Sequence, residues 1–134
     1  MTTWPQQPDS RTCGPSVVVV AQGLPGPWPD FAADVLAMHR RLNRWWPRAL
    51  GTTPWAIAAE LGGRVRRFRA DEVVAALPTP VPVYVGSRWL PRHVVLAVGT
   101  TADDGLRVYD PARGAVVPLT AVRWRTTWFS VVPS

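Results

Sequence analysis

The chain carries one cysteine, Cys13, and two histidines, His39 and His93. A thiol attacks a carbonyl carbon as the thiolate, and an imidazole beside it can take the proton and later deliver it to a leaving amine. Cys13-Gly14-Pro15 opens an apolar stretch, Ser16 to Gln22, that closes at Gly23. Proline near the start and glycine past the end are helix signals. The run Val17 to Val20 argues for a strand, because β-branched residues suit the pleat. Local pattern leaves both readings open. On the helical reading Cys13 sits at the positive end of the dipole, which favours the thiolate. Gly14 then keeps the backbone beside the thiol uncrowded, where a substrate would lie.

Two histidines compete for the role of base. His39 falls on a predicted helix among Arg40, Arg41 and Arg44, an expected exposed cationic face with Asp34 the nearby carboxylate. His93 opens the strand Val94–Val98, and a strand end holds a group rigidly while leaving it accessible. That strand and Leu106–Tyr109 form a hairpin through Gly99–Gly105, with Asp104-Gly105 as the turn signal. Pairing Val95 with Val108 and Ala97 with Leu106 buries one apolar face. The same register sets His93 opposite Asp110, with Cβ atoms about 5 Å apart, near enough for a carboxylate to orient an imidazole. A register shifted by two weakens the contact but keeps both residues on one face. Acyl transfer also needs donors for the developing oxyanion. The Cys13 backbone N–H can be one, and the side-chain amide of Gln7, six residues upstream, another; Gln6 is the adjacent alternative.

The elements that must position these groups can be read coarsely. Residues 1–12 form an extended entry segment and 24–29 a loop. Asp30 can cap a helix through about Asn43, with Phe31, Val35, Met38 and Leu42 on one stripe. A helix capped at Thr53 ends at Gly62-Gly63, and Asp71 to Leu77 is a short one. Strands follow at Val81–Val85, Val94–Val98, Leu106–Tyr109, Ala115–Val117 and Phe129–Val132. Helices first and strands second predict α+β with an antiparallel sheet.

At 134 residues, 47% hydrophobic and 18% charged, the chain has enough apolar surface to fold as one domain, 1–134. One cysteine excludes an intrachain disulfide, and one thiol with two histidines cannot build a cysteine-rich zinc site. The net charge of +6, all from arginine, reads as a solvated basic surface, with attraction to an anionic partner as the functional version. No helix-turn-helix or RNA-binding motif points to nucleic acid. The N-terminus lacks the basic and apolar regions of a signal peptide, and no stretch reaches the roughly 20 apolar residues of a membrane span. A cytoplasmic location is the default expectation, with non-classical export left open. Of the eight tryptophans, Trp45-Trp46, Trp124 and Trp128 are expected mostly in the core, and Trp89, just before His93, in a substrate groove. The run Arg64–Arg69 is expected as a solvated edge.

The segment Gln7-Pro8-Asp9-Ser10-Arg11-Thr12-Cys13-Gly14-Pro15-Ser16 resembles the active-site start of the C39-like peptidases, within the papain-like superfamily. His93-Val94-Val95-Leu96-Ala97-Val98-Gly99 resembles their histidine strand, and Asp110-Pro111-Ala112-Arg113-Gly114 their Asp-Pro-x-x-Gly segment. Gly51-Thr52-Thr53-Pro54 and the later Val81-Pro82-Val83-Tyr84-Val85 match in the same order, so the likeness spans nearly the whole chain. Where many relatives have an acidic residue before the cysteine, this chain has Thr12. The resemblance implies a papain-like fold, N-terminal helices packed on a C-terminal antiparallel sheet, and a helix at residues 15–22. It implies Cys13 as nucleophile, His93 as base and acid, Asp110 as the orienting group and Gln7 as oxyanion donor, acting on a peptide or protein with no cofactor. A transglutaminase-like acyltransferase and a non-catalytic peptide-binding module are the alternatives.

Overall fold

The computed structural model of the chain describes residues 4–9, 12–43, 52–103, 105–124 and 126–134. Ser10, Arg11, Arg44, Trp45, Trp46, Gly51 and Asp104 lie outside the described residues. Three helices come first: α1 (Cys13–Gly23), α2 (Phe31–Leu42) and α3 (Pro54–Leu61). They are followed by β1 (Gly63–Arg67), α4 (Ala70–Ala76), β2 (Val81–Gly86), β3 (Pro91–Thr100), β4 (Leu106–Asp110) and β5 (Ala115–Pro118). A 3-10 turn, Leu119–Ala121, leads into β6 (Thr126–Pro133). The strands make one antiparallel sheet in the order β1-β6-β2-β3-β4-β5.

The sheet separates two apolar clusters. On one side α1, α2 and α3 pack against Tyr84, Val94, Leu96, Tyr109 and Val131. On the other, Val73 of α4 packs against Val81, Val83, Val95, Val108 and Val132. Alternate residues of the same strands therefore serve opposite layers, as the period of two requires.

In α1 burial overrides local propensity. Val17, Val18, Val19 and Val20 are all buried, and the helix touches α2, α3 and β3. A helix enclosed on all sides can be apolar on all sides. Burying each valine is worth at least about 1.5 kcal/mol, which exceeds its helix-propensity cost of at most about 0.7 kcal/mol. The start of α3 follows its sequence signals: Thr53 Oγ1 accepts the Ala56 N–H at 3.2 Å, and Pro54 occupies the first turn. Gly62 ends it with φ of 72°, a left-handed conformation that glycine adopts without strain. Asp30 precedes α2 as expected but caps through its carbonyl, which accepts the Asp34 N–H at 2.9 Å, and not through its side chain.

One expectation is refined and one corrected. The segment from Gly63 is a strand, β1, not foreseen as such, at the edge of the sheet beside β6, and its Arg64, Arg66 and Arg67 are exposed as expected. The β3–β4 register is shifted: Ala97 faces Val108 and Leu96 faces Tyr109, while Thr100 faces Leu106. Val98 is the extra residue of a bulge, because Ala97 and Gly99 pair with the consecutive residues Val108 and Arg107. Among the described residues no helix is long and apolar enough to cross a membrane.

Candidate active site

Cys13 is the first residue of α1 and is partly exposed. The turn before it is tied down by Thr12, which is fully buried. The Thr12 hydroxyl donates to the Asp9 carbonyl at 3.1 Å, and the Thr12 carbonyl accepts the Ser16 N–H at 2.9 Å. Thr12 is thus a structural anchor immediately before the thiol. Gly14 lies where α1 meets the start of α3, and a Cβ there would come within 2.9 Å of Thr52 Cβ. Its absent side chain permits helix approach; Gly14 does not itself line the cleft described below.

His93 and Asp110 come together although they do not face each other directly. The shifted register makes them diagonal neighbours, a spacing long side chains can span. His93 Nε2 lies 2.7 Å from Asp110 Oδ1, with the two side chains only 11% and 5% exposed. Asp110 Oδ1 also accepts the Ala112 N–H at 3.0 Å, and Arg113 Nε is 3.8 Å from Oδ2. With Nε2 engaged by Asp110, Nδ1 is the nitrogen left for Cys13, whose side chain lines the same cleft.

The charges follow from these contacts. Burial alone would lower the His93 pKa. Hydrogen bonds to Asp110 and Cys13, and the negative charge of each, outweigh burial and hold the ring up at about 9. For Asp110, burial pushes upward but loses to the His93 hydrogen bond and charge, the Ala112 N–H and Arg113, so its carboxyl stays below the usual range. A carboxylate and an imidazolium therefore stand together at neutral pH. Burial, then the charge of Cys13, pushes the Tyr84 phenol well above its ordinary value. It remains a neutral donor, giving its hydrogen to the Thr52 carbonyl at 2.8 Å.

Cys13 and His93 line a cleft of about 280 Å³ between the helices and one end of the sheet. Thr52, Thr53, Pro54 and Trp55 form one wall; Tyr84, Pro91, Arg92 and Phe129 belong to the other. Two bulges shape the sheet wall. Val85 pairs with His93 but Gly86 with Pro91, which makes Arg92 the extra residue of β3. Tyr84 pairs with Phe129 but Val85 with Thr127, which makes Trp128 the extra residue of β6. Bulges re-aim side chains and recur beside active sites.

The structure thus brings Cys13, His93 and Asp110 together. Gln7 is not among the residues lining the cleft. Its side-chain amide donates to the Asp9 carbonyl at 2.6 Å, and its backbone N–H to the Pro111 carbonyl at 2.8 Å. Trp89 does not line the cleft either: it is 73% exposed, with the Arg88 guanidinium 4.8 Å from its ring centre. The cleft aromatics are Trp55, Tyr84 and Phe129, none of which the sequence reading singled out as a cleft residue. A signal for Trp55 existed. The buried stripe of α3 runs through Pro54, Ile57 and Ala58, and a large aromatic off that stripe has no core to fill. His39, expected on an exposed face, is 2% exposed within α2 and does not line the cleft. Among the described residues, no group of three or more His, Cys, Asp or Glu side chains could hold a metal ion.

With the site laid out, the solved structures decide the fold. The peptidase domain of Streptococcus ComA, a bi-functional ABC transporter involved in a quorum sensing pathway, matches with a TM-score of 0.63 and 24% identity over 100% of both chains. The fold is that of a ComA peptidase domain. The Streptococcus mutans ComA peptidase domain matches with a TM-score of 0.54, at 24% identity over 96% of each chain. The expected α+β, papain-like architecture is the one observed. No family model matches the chain, and no curated protein does.

Proposed function

We propose that this chain is a cysteine peptidase or amidase in which Cys13 is the nucleophile, His93 the general base and acid, and Asp110 the residue that positions His93. The observation that carries the reading is the 2.7 Å contact between His93 Nε2 and Asp110 Oδ1, which leaves the other ring nitrogen for the thiol at the head of α1. The likeness to peptidase domains supports it.

In the reaction the Cys13 sulfur bonds to the carbonyl carbon of the scissile amide. The carbonyl oxygen becomes an oxyanion and meets the Cys13 backbone N–H, one of the first-turn donors that a helix leaves without an intrahelical partner. Gln7 Nε2 keeps one hydrogen free beside its bond to the Asp9 carbonyl, but its side chain must move to the cleft, which it does not line, to act as a second donor. His93 passes the Nδ1 proton to the departing amine, the C–N bond breaks and a thioester remains. Water attacks the thioester with His93 taking one of its protons, the C–S bond breaks, the acid departs and sheds its remaining proton to solvent, and Cys13 and His93 return to their starting forms.

The test is labelling with an electrophilic peptide probe, with the modified residue mapped. Cys13 should react well above the rate of a free thiol, and His93→Ala should bring it down to that rate. Equal rates in both proteins would overturn the reading. An added amine acceptor separates hydrolysis from acyl transfer, because transfer yields a ligated product.

A further inference from the structure

The cleft wall carries a charge that the chemistry above does not use. Arg92 lines the cleft one residue before His93, and it does so as the extra residue of a β-bulge. Among the described residues no carboxylate lines the cleft, and no ion pair to Arg92 occurs. Opposite stands Trp55, 65% exposed in the free protein, with its ring centre 6.5 Å from that of Phe129 at 50°. An exposed tryptophan beside a second aromatic is unpartnered apolar surface in a concave site, the setting in which aromatic anchors contribute most to binding.

We propose that the cleft selects a peptide in which a bulky apolar residue packs against Trp55 and Phe129 while an acidic side chain pairs with Arg92. The inference rests on the peptidase reading of the same cleft and names its substrate class. Strand residues advance about 3.3 Å each, so Arg92 holds the acid within about three residues of the bond that Cys13 attacks. The net charge of +6 adds attraction of the same sign. Arg92 is exposed, so the pair is partly screened. Exchanging glutamate for glutamine costs a few-fold in affinity, and exchanging it for lysine about tenfold, because attraction is then replaced by repulsion.

The experiment measures equilibrium binding of fluorescent peptides to the Cys13→Ala variant, so it does not depend on turnover. The peptides are capped at both ends, which leaves the side chain as the only carboxylate. They carry Phe or Ala at the apolar position and Glu, Gln or Lys at each of three positions to either side. At one position Glu should bind about tenfold tighter than Lys, and Phe should bind tighter than Ala. The Glu preference should fall with added salt, vanish in Arg92→Gln and reverse in Arg92→Glu. Trp55→Ala should erase the Phe preference and keep the charge preference. Affinity indifferent to charge, a charge preference unchanged in Arg92→Gln, or no binding of any peptide would each overturn the proposal. Failure of the peptidase reading shows elsewhere, as Cys13 of the unmodified protein labelling no faster than a free thiol.

Discussion

The two walls of the cleft are held in place by different means. The sheet wall is organised by charge. Asp110 gathers His93, the Ala112 N–H and Arg113 around one buried carboxylate, and the His93 ring is fixed in orientation and protonation together. The helix wall is organised by packing. Cys13 rides on a helix whose Val17 to Val20 are enclosed and whose Gly14 touches Thr52. The Tyr84 hydroxyl, reaching the Thr52 carbonyl at 2.8 Å, ties the walls together. If the sheet wall sets the ionisation of the site and the helix wall sets its distances, changes in the first move a pH profile. Changes in the second move rates and stability at a fixed profile.

The largest effect belongs to the proposed nucleophile. Cys13→Ala should lower kcat/KM by about 10⁴-fold or more and leave Tm within about 2 °C, since a partly exposed thiol at the margin of the core removes little buried volume. Residual cleavage above a hundredth of the parent rate would remove Cys13 from the chemistry.

Asp110→Asn comes next. Asparagine can still accept from His93, so the ring stays oriented, but the negative charge that holds the imidazolium is gone. We expect kcat/KM to fall about 10–100-fold and the alkaline limb of the pH–rate profile to move down from about 9. That limb belongs to the coupled thiol–imidazole pair and is read as such. A limb that does not move would mean that Asp110 does not set the ionisation of the site.

The same pair makes a stability prediction. The folded pKa of His93, about 9, lies above its ordinary 6.5, so its contribution is complete below pH 6.5 and is lost as pH rises through about 9. Asp110 is displaced downward, so its contribution is present above the ordinary carboxylate range and is lost as pH falls through the lowered value. Thermal denaturation followed from pH 3 to 10 should therefore give a plateau that declines at both ends. In Asp110→Asn both declines should flatten.

How much of this was legible in the sequence follows the same division. Packing rules recovered the capped α3, the stripe of α2 and the helix-then-strand order. The alternation of β3 and β4 put His93 and Asp110 on one face. It could not fix their register, because a shift of two residues keeps the same side chains buried and the apolar pattern is blind to it. The bulges at Arg92, Val98 and Trp128 were invisible for the same reason: each inserts one residue without changing composition. Strand β1 was hidden by its arginines, which suit a sheet edge but not a strand template built on apolar runs. Local reading of Val17 to Val20 left helix and strand open, and only the family resemblance and then the enclosing layers decided it. Trp89 was favoured over Trp55 because closeness in sequence to His93 stood in for closeness in space.

Smaller effects probe the helix wall. Gly14→Ala forces a methyl to within 2.9 Å of Thr52 Cβ. The expected cost is about 1–3 kcal/mol, seen as a Tm lowered by several degrees, together with slower turnover at an unchanged alkaline limb. A lower limb would show that helix placement and ionisation are not separable.

The smallest expected effect is that of Tyr84→Phe, which cuts the tie between the walls and removes no volume from the core. The lost hydrogen bond is worth about 1 kcal/mol net, so Tm should drop by about 3–5 °C and kcat/KM by only a few-fold. The pH profile is the sharper measurement. Burial, and then the Cys13 charge, keep the phenol protonated well past its ordinary range, so it does not titrate alongside His93 and adds no second alkaline step. Deleting its hydroxyl should leave the limb near pH 9 where His93 puts it. A limb displaced in Tyr84→Phe would mean that the Thr52 tie holds the thiol against the imidazole, and that the helix wall helps to set the charge as well as the distance.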